Sequence, residues 1–349
     1  MPNVVNGQNG LIGKNSADGH NGVGGQNGIG GQKKIVVIGG GIGLSVILRG
    51  LKNKNIGIDA IVTVADDGGS SGKLMKDFDI PPPGDIRNVL ISLATVDPEL
   101  ERLLQYRFDR GSGLEEHTIG NLLITAMYNI TGDFVTAINK LIEILSIRAR
   151  VLPSSSRKVT LYAEYCDGTT VKGESNIPLA KKPIRRVFIE PSDAKPLPEA
   201  LIAVRNADLI LLGPGSLYTS IIPNLLVPEL REAIIESDAK KIFICNVLTQ
   251  PGETDNYSVS NHVEALVQHV GEPFIDYVIV NSRLIEQALL EQYAVVNSKS
   301  VLCDDDDREY LKRGGYQLIA DDFVKCETFI RHDEEKIANQ ILEILREIE

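Results

Sequence analysis

From Lys33 onward, short apolar runs of strand length alternate with segments whose apolar residues recur at helical spacing. Ile35-Val36-Val37-Ile38 is uninterrupted, Leu44, Ile47, Leu48 and Leu51 fall on one helical face behind it, and a second strand is predicted over Ala60 to Ala65. Further strands are predicted at 187–189, 209–212, 241–245 and 277–280, each followed by a loop or a helix. Apolar strands that alternate with amphipathic helices describe a mostly parallel sheet covered on both faces. Helical periodicity over 86–93, 100–108, 119–130 and 134–145 predicts a helical insertion. Val159 to Tyr165 and Thr169 to Lys172 alternate instead around Asp167-Gly168, which predicts an antiparallel β-hairpin at the edge of the fold. A last helix is predicted over Glu334 to Ile348, with Asp333 as its N-cap. The fold class is α/β, a doubly wound, mostly parallel sheet with a helical insertion and an edge hairpin.

Composition divides the chain at its first strand. Residues 1–32 hold ten of the 32 glycines in loose N-G-Q-N-G repeats, with only Lys14 and Asp18 charged. So little apolar surface does not offset the entropy of ordering, so 1–32 is expected to be a disordered Gly/Asn-rich tail and 33–349 a single α/β domain. Against 36 Lys+Arg stand 47 Asp+Glu, a net charge of −11. That excludes a general nucleic-acid or anionic-membrane surface, while leaving room for a local anion pocket. Such a pocket has to use backbone N–H groups, a few placed arginines or a bridging cation. Cys166, Cys245, Cys303 and Cys326 are widely separated, without C-x-x-C pairs or zinc-ligand spacing, so neither a disulfide framework nor a structural zinc is expected. The apolar runs are too short to span a membrane, and the chain reads as cytoplasmic. Asp304 to Asp307 reads as a solvated acidic turn.

The candidate chemistry lies in loops that follow strands. Gly39-Gly40-Gly41-Ile42-Gly43 joins the first strand to the first helix, and glycines there admit either a phosphate at the helix start or tight packing; Gly40, Gly41 and Gly43 are the candidates. The third glycine of a dinucleotide fingerprint is missing, because Leu44 or Val46 stands in its place, which argues against a nicotinamide cofactor. Asp66 and Asp67 follow the second strand and suit ribose hydroxyls, a magnesium ion or a turn cap, with one of the two facing the ligand. In Pro81-Pro82-Pro83-Gly84-Asp85-Ile86-Arg87-Asn88, either Asp85 is an N-cap and Arg87 is solvated, or Asp85, Arg87 and Asn88 belong to a site. His117, ahead of Asn121, suits phosphate contact, proton transfer or capping. Gly213-Pro214-Gly215-Ser216 forms an expected anion nest, with Thr219 beside it and Tyr218 packing or stacking. Asn246 ends the next strand. Tyr293 and Arg331 stand in C-terminal segments able to fold back, Tyr293 against a base or sugar and Arg331 on a phosphate.

The motifs I-V-V-I-G-G-G-I-G-L-S-V-I-L-R-G-L, V-A-D-D-G-G-S-S-G, P-P-P-G-D-I-R-N, H-T-I-G-N, G-P-G-S-L-Y-T-S-I-I-P-N-L-L-V and T-Q-P-G-E-T-D follow one another in that order. In them the chain resembles the YvcK-like gluconeogenesis-factor family of the CofD-like superfamily, from about Lys33 to the C-terminus. The resemblance implies a Rossmann-like fold and a cytoplasmic factor needed for cell shape and wall synthesis on gluconeogenic carbon sources. It implies binding of UDP-N-acetylglucosamine with no cofactor required, and leaves open protein partners in wall synthesis and a homo-oligomer. The alternative is the superfamily's enzyme arm, a magnesium-dependent transferase acting on a nucleotide-linked phosphoester, similar to 2-phospho-L-lactate transferase. There Asp67 and Asp85 would hold magnesium, and His117 or Arg87 would stabilise charge. Two departures stand out: Ile42 replaces the family's usual Thr, and Thr118-Ile119 replaces Ser-Phe.

Overall fold

A computed structural model describes residues 32–111, 113–292, 297–326 and 330–348. The expected tail, Gln32 apart, and Tyr293 lie outside the described residues. The first half of the chain runs β1 (Lys34–Gly39), α1 (Gly41–Leu51), β2 (Gly57–Val62), then five helices, α2 (Gly69–Phe78), α3 (Gly84–Leu93), α4 (Pro98–Gln105), α5 (Ile119–Thr131) and α6 (Phe134–Ile144), before β3 (Arg150–Pro153). Next come β4 (Thr160–Tyr165), β5 (Thr170–Lys172), β6 (Ile184–Glu190), α7 (Pro198–Arg205), β7 (Leu209–Leu212), α8 (Ile222–Leu225), α9 (Pro228–Glu236) and β8 (Lys240–Ile244). The chain continues through α10 (Val259–Val270), β9 (Tyr277–Asn281), α11 (Gln287–Gln292), α12 (Asp305–Arg313), β10 (Gln317–Asp321), the hairpin β11 (Val324–Cys326) and β12 (Ile330–His332), and α13 (Glu334–Glu347).

Seven strands form one parallel sheet in the order β10-β9-β8-β7-β1-β2-β3. The chain lays β1, β2 and β3 outward in one direction, then returns to the other side of β1 for β7 to β10. The crevice between the carboxyl ends of β1 and β7 is therefore the topological switch point, where open α/β sheets bind ligands. Both faces of the sheet are covered. Ile35 and Val37 pack with α1, α3, α6 and α13, while Val36 and Ile38 pack with α7 to α10 and the small sheet. Ile35 to Ile38 are fully buried, as a strand sandwiched between two helical layers demands.

Three expectations shift. β2 stops at Val62 rather than Ala65: Thr63 N–H still reaches Gly39 O at 2.9 Å, but β1 has turned into its glycine loop and β3 has ended at Pro153, so the ladder loses its partners. The strand at 187–189 is antiparallel, since β6 joins the β4–β5 hairpin in a separate three-stranded sheet. The acidic run at 304–307 is solvated at Asp304, Asp305 and Asp306 but not at Asp307, and it opens a helix rather than forming a turn. Asp304 caps α12, and Asp307, 1% exposed, accepts hydrogen bonds from Ser258 Oγ at 2.7 Å and Ser260 N–H at 2.8 Å, tying α12 to the start of α10.

Candidate functional site

At the switch point lies a cleft of about 470 Å³. Its walls are the turn from β1 into α1 and the turn after β7. These turns are in backbone contact: a Cβ at Gly43 would collide with Pro214 O and lie 2.7 Å from Gly215 Cα, so only glycine lets α1 begin this close. Among the described residues, no acceptor meets the N–H groups of Ile42 and Gly43, which open toward the cleft at the positive end of α1. Opposite, the expected nest is smaller than its sequence suggests. Gly213 N–H is bonded to Ile38 O at 3.0 Å, Pro214 has no N–H, and Gly215 N–H is taken by Asn246 Oδ1 at 3.1 Å. Asn246 Nδ2 also donates to Gly215 O at 2.8 Å, so Asn246 clamps the turn from both sides. Ser216 is left facing the cleft, its Oγ accepting from Gln250 Nε2 at 2.7 Å.

The floor is acidic. Asp85, from the first turn of α3, lies under the glycine loop: a Cβ at Gly41 would come within 2.9 Å of its Oδ1, so Gly40 and Gly41 make room for this carboxylate. Burial pushes Asp85 up to about 7, Asp66 adds repulsion, and Arg87 and the Gly41 N–H oppose the rise. Glu174, which also lines the cleft, is pushed up to about 8 by burial and then by Asp66 and Asp85. Behind Thr219, the buried Glu253 is raised to about 7, chiefly by burial.

A second compartment of about 220 Å³ adjoins the first and shares Asp66, Asp85 and Asn88 with it. Arg87 crosses its wall, donating from Nη1 to Thr118 Oγ1 at 2.7 Å and Asn121 Oδ1 at 3.2 Å, and from Nη2 to Asn88 Oδ1 at 2.8 Å. Arg87 is thus neither solvated nor free, and Asp85 caps no helix of its own, since Pro83 precedes α3. Thr118, not His117, caps α5. His117 is buried, with Nδ1 3.0 Å from Ser70 Oγ, and Ser70 also accepts from Asn121 Nδ2 at 3.0 Å.

The cleft therefore brings together Gly40, Gly41, Gly43, Asp66, Asp85, Asn88, Gly215, Ser216, Thr219, Asn246 and Arg331, while Arg87 and Asn121 line the second compartment. Asp67 turns the other way, its Oδ1 accepting from Ser175 N–H at 2.9 Å. Of the two adjacent carboxylates, only Asp66 lines the cleft. Gly213 supports the turn from behind, against Ile221. Tyr218 is 2% exposed, its hydroxyl 2.6 Å from that of Tyr257 and its ring edge-on to His269, so it packs and does not stack on a ligand. Sequence reasoning missed Glu174 and Gln250 as lining residues, along with the aliphatic wall of Val46, Val247, Leu248 and Ile330. The position of Gln250 in a loop beyond a strand end was the one available signal.

A family model described as 2-phospho-L-lactate transferase CofD matches residues 35–324. The chain is 51% identical to the gluconeogenesis factor of Halalkalibacterium halodurans over 312 residues, 89% of this chain and 96% of that one. It is 50% identical to the gluconeogenesis factor of Bacillus subtilis over 315 residues, 90% of this chain and 98% of that one. A crystal structure of a upf0052-family protein from Bacillus halodurans superposes with a TM-score of 0.85 at 50% identity, covering 89% of this chain and 99% of that one.

Proposed function

The chain belongs to the CofD family, in the branch of the gluconeogenesis factors, and on that premise we propose that its cleft binds a nucleotide sugar, UDP-N-acetylglucosamine. The bound state serves a cytoplasmic regulator of cell shape and wall synthesis during growth on gluconeogenic carbon sources. The observation that carries the binding is the pair of turns at the switch point. The open N–H groups of Ile42 and Gly43 at the start of α1 suit one phosphate, and Ser216 with Arg331 suits the other. Sugar hydroxyls exchange hydrogen bonds with the carboxyl groups of Asp66, Asp85 and Glu174, the last two held partly protonated by burial. The base lies against Val46, Val247, Leu248 and Ile330, since the described cleft-lining residues include no Phe, Tyr or Trp. Calorimetry with UDP-N-acetylglucosamine tests this. Absence of binding at millimolar ligand, with the fold intact, sinks it.

A second reading, a magnesium-dependent transferase on a nucleotide-linked phosphoester, is favoured by one observation. Asp66 and Asp85 are close enough to raise the pKa of Asp85, and a divalent cation would relieve that repulsion. Among the described residues no three His, Cys, Asp or Glu side chains are arranged to hold a metal, so such a cation would take its other ligands from phosphate oxygens. Bound there, magnesium would supply charge neutralisation for a diphosphate. Asp66, Asp85 and Arg87 would position and balance the phosphoester. Product formation that vanishes in Asp66→Asn supports the transferase, whereas bound ligand recovered unchanged after long incubation with magnesium supports the regulator.

A further inference from the structure

The second compartment has the chemistry of an oxyanion site that the nucleotide-sugar reading does not use. It lies between the first turns of α2 and α3, and α2 starts at Gly68 without a side-chain cap. Among the described residues, the N–H groups of Gly69, Ser70 and Ser71 find no acceptor. Ser71 is only 3% exposed, yet among the described residues its hydroxyl has no hydrogen-bond partner. Its neighbour Ser70 is fully engaged by His117 and Asn121, so the two adjacent serines are set differently: one locked, one available. Two guanidinium groups close the space. Arg87 keeps a buried Nε with no partner, and Arg107 enters from the loop after α4, its Nη1 fixed by Glu116 O at 2.6 Å.

We propose that this compartment binds the phosphate group of a second small molecule, beside the nucleotide sugar and distinct from it. Helix-start N–H groups, a free hydroxyl and two guanidinium groups are the donor set a phosphate takes. Asp66 and Asp85 stand at the junction with the larger cleft. Asp66 is already bonded to Gly68 N–H at 2.9 Å, and Asp85 is partly protonated near neutrality, so the arginine end is the more positive one. The phosphate therefore sits at the α2 end, and the rest of the molecule points to the junction, where the two ligands meet. A volume of about 220 Å³ suits a phosphate or a small phosphate monoester and not a second nucleotide.

The test uses the full chain, with inorganic phosphate and methyl phosphate as probes, each titrated calorimetrically into free protein and into protein saturated with UDP-N-acetylglucosamine. One probe molecule should bind per chain in both states, and methyl phosphate binding distinguishes a monoester site from one for free phosphate alone. Arg107→Gln, at an exposed side chain, and Ser71→Ala, which removes only a hydroxyl, should each weaken the probes tenfold or more while changing nucleotide-sugar affinity by less than twofold. No saturable probe binding overturns the proposal. So does probe binding abolished by the nucleotide sugar, which would assign the compartment to the nucleotide's own phosphates, and so does probe binding that neither substitution weakens. Probe binding retained by a chain that fails to bind the nucleotide sugar supports this proposal and counts against the preceding one.

Discussion

Two cavities lie at opposite ends of the same strands. At the carboxyl ends of β1 and β7 is the cleft of about 470 Å³; at the amino ends of β1, β2 and β3 is a larger one, of about 710 Å³, lined by Lys52, Lys54, Arg148 and the Asn53 to Ile58 segment. By size and basic side chains, the amino-end cavity would be the better anion site. The direction of the helices says otherwise. At the carboxyl ends helices begin, and their first N–H groups need acceptors; at the amino ends α1, α3 and α6 finish, and their last carbonyls need donors. Lys52 meets that need by donating from Nζ to Ala94 O at 2.7 Å, next to the end of α3. The lysine is part of the helix ending, and its burial lowers its pKa. Helix starts elsewhere are mostly closed by their own residues: Asp97, Thr118, Asp133, Ser258, Asp304 and Asp333 cap α4, α5, α6, α10, α12 and α13. The helices that open onto the site, α1, α2 and α3, start after Gly40, Gly68 and Pro83, which have no side chain to cap with. Helices α7, α8 and α9 also start without a side-chain cap, but each has a proline at its first or second position that removes one of the donors, so α1, α2 and α3 are the uncapped starts that keep their donors beside the site.

The sharpest way to break the comparison is to close the carboxyl-end cleft. In Gly43→Ala the added methyl meets the backbone of Pro214 and Gly215, which cannot swing away as a side chain would. The two turns have to separate. Nucleotide-sugar affinity should fall at least 100-fold and the melting temperature should drop, the overpacking costing roughly 1–3 kcal/mol. Unchanged affinity by calorimetry would mean that the glycine loop does not seat the phosphate.

A smaller effect follows from the acidic floor. Asp85 and Glu174 are raised from 3.8 to about 7 and from 4.5 to about 8, largely by burial. Between about pH 4 and 8 the folded chain thus holds protons that the unfolded chain has released. Their contribution to stability is complete below the unfolded values and is lost as the pH rises through 7 to 8. Melting temperature measured from pH 5 to 8.5 should fall with pH, and Asp85→Asn, neutral throughout, should flatten that slope. A slope as steep in the variant as in the wild type would remove Asp85 from the account. At the opposite end of the strands, Lys52→Met should cost about 1 kcal/mol in denaturant unfolding, the net worth of one hydrogen bond, and leave nucleotide-sugar affinity unchanged.

The turn from β1 into α1 and the position of the turn after β7 were legible because each is coded by contiguous residues: an apolar strand, then glycines. What each turn does was less legible. Asp85 lies 44 residues beyond Gly41, and nothing local says that two glycines make room for a carboxylate. Asn246 reads as a ligand group at a strand end, yet its amide spans Gly215 and spends the N–H that the nest was expected to offer. Tyr218 sits between two cleft-lining positions, but the turn points it inward to Tyr257. Asp66 and Asp67 are adjacent and chemically identical, and only the loop at Ser175 decides which of them leaves the cleft. In each case the residue type was readable and the direction of its side chain was set by a partner distant in sequence.

The smallest predicted effect concerns Ile42, which stands at the mouth of the cleft 77% exposed, in the first turn of α1. A large apolar side chain in water gains nothing there. Ile42→Thr places a hydroxyl beside the open N–H groups of the first turn without entering the core. Folding stability should change by less than about 0.5 kcal/mol, as for most exposed substitutions. If the phosphate sits on that turn, the hydroxyl adds one hydrogen bond, worth about 0.5–1.5 kcal/mol, so nucleotide-sugar affinity should rise roughly two- to twelvefold. The same substitution should leave phosphate binding in the second compartment untouched, because Ile42 lines only the larger cleft. Calorimetry on the variant thus reads position as well as strength. A gain confined to the nucleotide sugar places its phosphate at the start of α1, whereas no gain moves that phosphate toward Ser216 and Arg331 and leaves the open N–H groups of α1 to another part of the ligand.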